Sequence, residues 1–174
     1  MRRVIALVLV FVMLFSMTAL AKKRKRIYKK RTVFAQSYKA LSGLGVGVVI
    51  GMGFTGGTNA GISLKNWISK EHAIQGDFAW DFGSGSMGIG VAYLIHAIDL
   101  FQTRGFKLPV YFGIKGYAGI SSAAVGLGIQ VPVGLAWVPK DAPIDVFLQV
   151  EPGISIIPST AFAGNGGVGI RYWF

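Results

Sequence analysis

The 174-residue chain contains no cysteine and only two histidines, and acidic residues number seven. Without cysteine there is no disulfide framework, no thiolate metal site and no lipid-anchored amino terminus. The histidines, His72 and His96, are not spaced as a metal pair, and no cofactor motif accompanies them. Charged residues of both signs make up 14% of the chain. Beyond the amino terminus no apolar run is long enough for a membrane helix.

What is abundant is apolar side chains, 52% of the residues, and glycine, 25 residues. A soluble protein this apolar buries long continuous runs, whereas a barrel in lipid shows its apolar residues at every second position. The net charge of +11 suggests nucleic acid until it is divided along the chain. Arg2, Arg3 and the eight bases between Lys22 and Arg31 supply the excess, and the eight bases after Arg31 face seven acids. The body of the chain is nearly neutral, so no nucleic-acid partner is expected.

Residues 1–21 have the layout of a cleaved secretory signal. Arg2 and Arg3 precede the apolar stretch Val4 to Phe15, and Ala19-Leu20-Ala21 is a small-x-small ending that predicts cleavage after Ala21. The competing reading is an uncleaved anchor, because positive charge directly after an apolar segment opposes translocation. Residues 22–42 form a basic tail and linker. Lys22, Lys23, Arg24, Lys25, Arg26, Lys29, Lys30 and Arg31 repel one another and stay solvated, or meet anionic headgroups.

From residue 43 the chain divides into eight stretches of alternating character. The clearest places Val125, Leu127, Ile129, Val131, Val133, Leu135 and Trp137 on one face, with Gly126, Gly128, Gln130, Pro132, Gly134 and Ala136 on the other. Strand side chains alternate with period two, so each stretch reads as a strand with one greasy and one polar or bare face. Pro132 and Pro152 each delete a ladder donor, and local bulges are expected there. The connections at 53–59, 83–86, 119–123 and 158–164 are small and neutral; the charged ones lie at 69–72, 99–107 and 138–143.

The last stretch ends Gly-Gly-Val-Gly-Ile-Arg-Tyr-Trp-Phe. Gly169, Tyr172 and Phe174 resemble the carboxyl-terminal assembly signal of bacterial outer-membrane β-barrels, although position 167 is Gly where that pattern has a polar residue. Taken with the eight stretches, residues 43–174 resemble the small eight-stranded outer-membrane barrels, the group typified by the OmpA transmembrane domain and by an uncharacterised outer-membrane β-barrel family. The resemblance implies an all-β, antiparallel up-and-down barrel, located in a Gram-negative-type outer membrane. It also implies two partners, outer-membrane lipids and the barrel-assembly machinery. A monomer is expected. An even strand count returns both ends of the chain to the periplasm.

The inward face carries the residues of interest. Lys65, Lys115 and Arg171 are bases and Asp77, Asp145 and Glu151 are acids, with Gln75, Gln130 and Gln149 between them. A turn centred on Glu71 brings Lys65 opposite Asp77; the sixth and seventh stretches bring Gln130 opposite Glu151; and His96 falls opposite Tyr111 as a hydrogen-bonded pair. Pairing spares such ions the desolvation penalty of a lone buried charge. These expectations describe a structural barrel with a largely plugged polar lumen and no enzymatic activity. A narrow ion or water channel is the alternative, as is a lumen that binds a small apolar or lipid ligand if the space beside Gly45, Gly47 and Gly90 stays open.

Overall fold

The structure, a computed structural model, describes residues 43–53, 58–103, 105–121 and 125–174. The signal segment and the basic cluster Lys22 to Arg31 lie outside the described residues. The strands are β1 (Leu44–Gly53), β2 (Thr58–Trp67), β3 (His72–Asp81), β4 (Met87–Gln102), β5 (Phe106–Ile120), β6 (Val125–Gln130), β7 (Val133–Pro139), β8 (Ile144–Ile157) and β9 (Ala161–Trp173). Each is antiparallel to its neighbours, and β9 pairs back onto β1 from Gly45↔Trp173 to Gly53↔Asn165. β6 and β7 are two halves of one stave, both lying between β5 and β8. The result is a closed eight-staved barrel with no open edge.

The expected alternation is present on every stave. Ile50, Val91 and Ile114 point outward, 66%, 65% and 58% exposed, while Lys65, Gln75, Tyr111 and Arg171 point inward and are buried. An apolar exterior over a polar interior inverts a soluble protein and suits lipid. Aromatic side chains collect near both ends of the exterior: Tyr93, Trp137, Tyr172 and Phe174 toward one, Trp80, Phe82 and Phe162 toward the other. We call the end holding Phe174 proximal and the opposite end distal. Gly43 has φ 111° and leaves no room for a Cβ beside the Phe174 carbonyl, and the Phe174 amide donates to the Leu44 carbonyl at 3.1 Å, so the seam is closed at its last residue.

Four details depart from the sequence expectations. The fourth and fifth strands run into the stretch expected to be a connection, pairing as far as Gln102↔Lys107. Bulges between His96 and Ile98 and between Asp99 and Phe101 reset the alternation there, so Leu100 and Phe101 are both exposed and the strand pattern is hidden. Pro132 and Pro152 cause no bulge, since Gln130↔Gly153 and Val133↔Val150 keep one register. The Pro132 carbonyl accepts from the Gly113 amide and the Pro152 carbonyl from the Val131 amide, so the prolines lose donors but stay in step. The bulge in this region lies instead where Leu127 and Gly128 face Ile157 and Ser155.

Candidate functional site

The interior is built in layers. At the proximal end Lys107 and Asp99 approach to 4.0 Å, and above them sit Trp67, Trp173, His96 and Tyr111. Trp67 stacks with Trp173 at 6.1 Å between ring centroids and lies 4.4 Å from the His96 ring, which is 5.1 Å from Tyr111. The Lys65 ammonium enters this cluster 2.8 Å from Nε2 of His96 and 4.6 Å from the centre of the Tyr111 ring. Aromatic faces attract a cation through their quadrupole, which partly compensates its removal from water.

The next layer centres on Arg171, which is fully buried. Its Nε donates to Asp145 at 3.1 Å, its Nη1 to Gln75 at 2.8 Å, and its guanidinium lies 3.8 Å from the centre of the Phe147 ring. Asp145 also accepts from the Trp173 indole at 3.0 Å. Gln75 passes the network on, donating to Asp77 at 3.1 Å. Lys115 then bridges two carboxylates, Asp77 at 3.0 Å and Glu151 at 2.9 Å. Glu151 accepts from Gln149 at 2.5 Å, and Gln149 accepts from the Tyr111 hydroxyl at 2.6 Å. The polar side chains thus form a chain from Asp145 through Arg171, Gln75, Asp77, Lys115, Glu151 and Gln149 to Tyr111.

Of the residues expected in the lumen, Lys65, Asp77, Lys115, Gln130, Gln149, Glu151, Arg171, His96 and Tyr111 all point inward, but several partners differ. Lys65 stands opposite Gln75, not Asp77, which faces Ser63. The turn is centred on Lys70, where Ser69 Oγ accepts from the His72 amide at 3.2 Å. Moving a turn centre by one residue shifts every pair by two and leaves the faces unchanged. For the same reason Gln130 lies opposite Gly153 and beside Lys115, not opposite Glu151. His96 is opposite Tyr111 as expected, but as a ring contact: the structure gives the imidazole Lys65 as a polar partner and the phenol Gln149. Gly169 points inward under Phe147, while Tyr172 and Phe174 point outward, their rings 4.9 Å apart.

The space beside Gly45, Gly47 and Gly90, which would favour a lumenal ligand if it stayed open, is filled. A Cβ there would strike the Trp173 ring, Arg171 or the Lys115 chain, respectively. Room remains higher up. A cavity of about 80 Å³ lies over the Lys115 bridge, lined by Asp77, Glu151, Asn59, Asn165, Val49 and Phe147 among others. It shares Asn59, Ala79 and Asn165 with a wider distal space of about 370 Å³, to which Asp81, Gly88, Gly119 and Gly126 belong. Asn59 stands at the start of β2 and Asn165 within β9 opposite Glu151, and neither carries a charge that would mark it in the sequence. Among the described residues no group of His, Asp and Glu is gathered to hold a metal.

No family model matches this chain, and no curated protein matches it. Solved structures do. The N-terminal β-barrel domain of Pseudomonas aeruginosa OprF superposes with a TM-score of 0.53 at 12% identity, over 74% of this chain and 95% of that one. The fold is that of the small eight-stranded outer-membrane β-barrels. The outer-membrane enzyme PagL gives 0.57 at 12% identity, covering 75% of this chain and 99% of its own. A de novo designed transmembrane β-barrel gives 0.50 at 12%, over 74% and 92%. An enzyme and a designed protein on one fold show that the fold by itself does not fix activity.

Proposed function

We propose that this protein is an integral barrel of a Gram-negative-type outer membrane whose role is structural, with no enzymatic activity and a lumen closed to through-passage. The observation that carries the reading is the proximal layer of Trp67, Trp173, His96 and Tyr111, packed at ring distances of 4.4 to 6.1 Å across the barrel and backed by the Arg171–Asp145 pair. An eight-stranded barrel is just wide enough for side chains to fill, and these side chains fill it. Neither histidine is set up as a general base: His96 lies under Lys65 and Trp67, and His72 stacks on Tyr93 at the proximal exterior, its Nδ1 2.9 Å from the hydroxyl. With both ends of the chain periplasmic, the distal cavity faces outward and the plug faces the periplasm.

Planar-bilayer recording tests the closed lumen. Purified protein is expected to give no steady single-channel steps, and reproducible steps would replace the structural role with the narrow-channel alternative. Location is tested by fractionation. The mature protein should begin at Lys22, reside in the outer membrane and migrate faster on gels before boiling, whereas recovery from the inner membrane with Met1 attached would establish the uncleaved anchor.

A further inference from the structure

We propose that the distal cavity is a binding site for small alkylammonium ions. The cavity is enclosed below by the Lys115 bridge, and its walls combine the carboxylates of Asp77 and Glu151, the amides of Asn59 and Asn165, and the apolar surfaces of Val49 and Phe147. Asp81 joins from the wider space above, so three carboxylates stand against one base. Below the bridge Arg171 is matched by Asp145 at 3.1 Å, and Lys65 is held lower still, against His96 and the Tyr111 ring, so the excess of acid lies at the distal end, with Asp81. A cleft of one sign between low-dielectric walls concentrates its field and draws in the opposite charge.

The kind of cation follows from what is left to bind it. A carboxylate offers about four acceptor positions, and Asp77 and Glu151 each give part of theirs to Lys115 and a neighbouring glutamine. An ammonium carries three donors and no acceptor, which matches carboxylate and amide oxygens spread around a wall. A divalent metal needs several oxygens converging on one point, and the described residues gather no such set. Val49 and Phe147 provide contact for methylene groups, the usual division of labour in a small-molecule pocket.

Three glycines leave the wider space open. Gly88, Gly119 and Gly126 sit side by side on β4, β5 and β6. A Cβ on any of them would meet nothing nearer than 3.5 Å, so no protein neighbour requires glycine there. Their effect is to leave a way through to the 80 Å³ cavity below.

The test uses isotope-labelled protein in uncharged alkyl-glycoside micelles, titrated with butylammonium chloride against sodium chloride at matched ionic strength. Saturable shifts of the Asn59 and Asn165 side-chain amides with butylammonium, and none with sodium, are expected. Gly126→Leu fills the wider space without disturbing a charge and should weaken binding by about tenfold or more, as should Asp77→Asn. Gly116→Leu, on the lipid face where a side chain meets nothing within 4 Å, should leave it unchanged. Because Asp77→Asn disturbs the Lys115 bridge, Gly126→Leu keeps the test independent of folding. Equal responses to both salts, or undiminished binding by folded Gly126→Leu, would overturn the proposal. Micelles doped with phosphatidylethanolamine and no added amine distinguish the source: the same shifts there support the site and assign the ammonium to a lipid headgroup.

Discussion

Glycine means opposite things at the two ends of this barrel. In the proximal and middle layers each inward glycine lies under a large side chain: Gly45 under Trp173, Gly134 under Tyr111, Gly90 under Lys115 and Gly169 under Phe147. There the missing Cβ is a packing requirement, since a barrel of eight staves holds big side chains only if the opposite wall gives way. At the distal end Gly88, Gly119 and Gly126 lie under no side chain, and a Cβ on any of them would meet only backbone carbonyls at 3.5 Å or beyond. The same residue on the same face of neighbouring strands makes a plug at one end and a cavity at the other.

The largest effect expected from breaking this comparison lies at the boundary between the two regions. Lys115→Met strands Asp77 and Glu151 and should destabilise the barrel by roughly 3 to 5 kcal/mol where the site is dry, and by less where cavity water reaches the acids. The variant combining Lys115→Met with Asp77→Leu and Glu151→Met should recover much of the loss, because it leaves no orphan charge. Urea unfolding in lipid vesicles measures both. A double-mutant cycle on the same assay should give about 1 to 3 kcal/mol of coupling between Lys115 and Asp77 and well under that between Lys65 and Asp77. A larger value for Lys65 would restore the pairing expected from sequence over the one in the structure.

A smaller effect separates the glycines themselves. Gly134→Val should cost about 1 to 3 kcal/mol, because the Tyr111 ring occupies the position its side chain would take. Gly126→Val should stay within about 0.5 kcal/mol, as a tolerated surface-like change, and its β-branched side chain suits a strand. Equal costs at the two positions would show that the distal wall is packed after all and would remove the contrast.

Much of this architecture is legible in the sequence because the information is local. Alternation in Val125 to Trp137 fixes which side chains face lipid, whatever the strand pairs with. A closed barrel follows because lipid offers no partner for an open edge. The inward placement of Lys65, Asp77, Lys115, Glu151 and Arg171 follows from the same period. The continuation of β4 to Gln102 does not, because two bulges break the alternation that would have announced it.

Register and partners belong to the tertiary structure. Period two is blind to a shift of two residues, so Lys65 faces Gln75 or Asp77 with its side chain inward in either case, and only the centre of the turn near Lys70 decides. Contacts across the lumen are more remote still. Arg171 finds Gln75 from 96 residues away, and Lys115 finds Glu151 from 36. Neither pair lies on adjacent staves: Lys115 and Glu151 meet only once the sheet has curved over the stave between them, and Arg171 and Gln75 only once β9 has met β1. Whether a glycine is covered or bare depends on that same closure, since what lies over it comes from another strand. The sequence by itself therefore determined the wall of the barrel, and closure decided which part of its interior is solid and which is open.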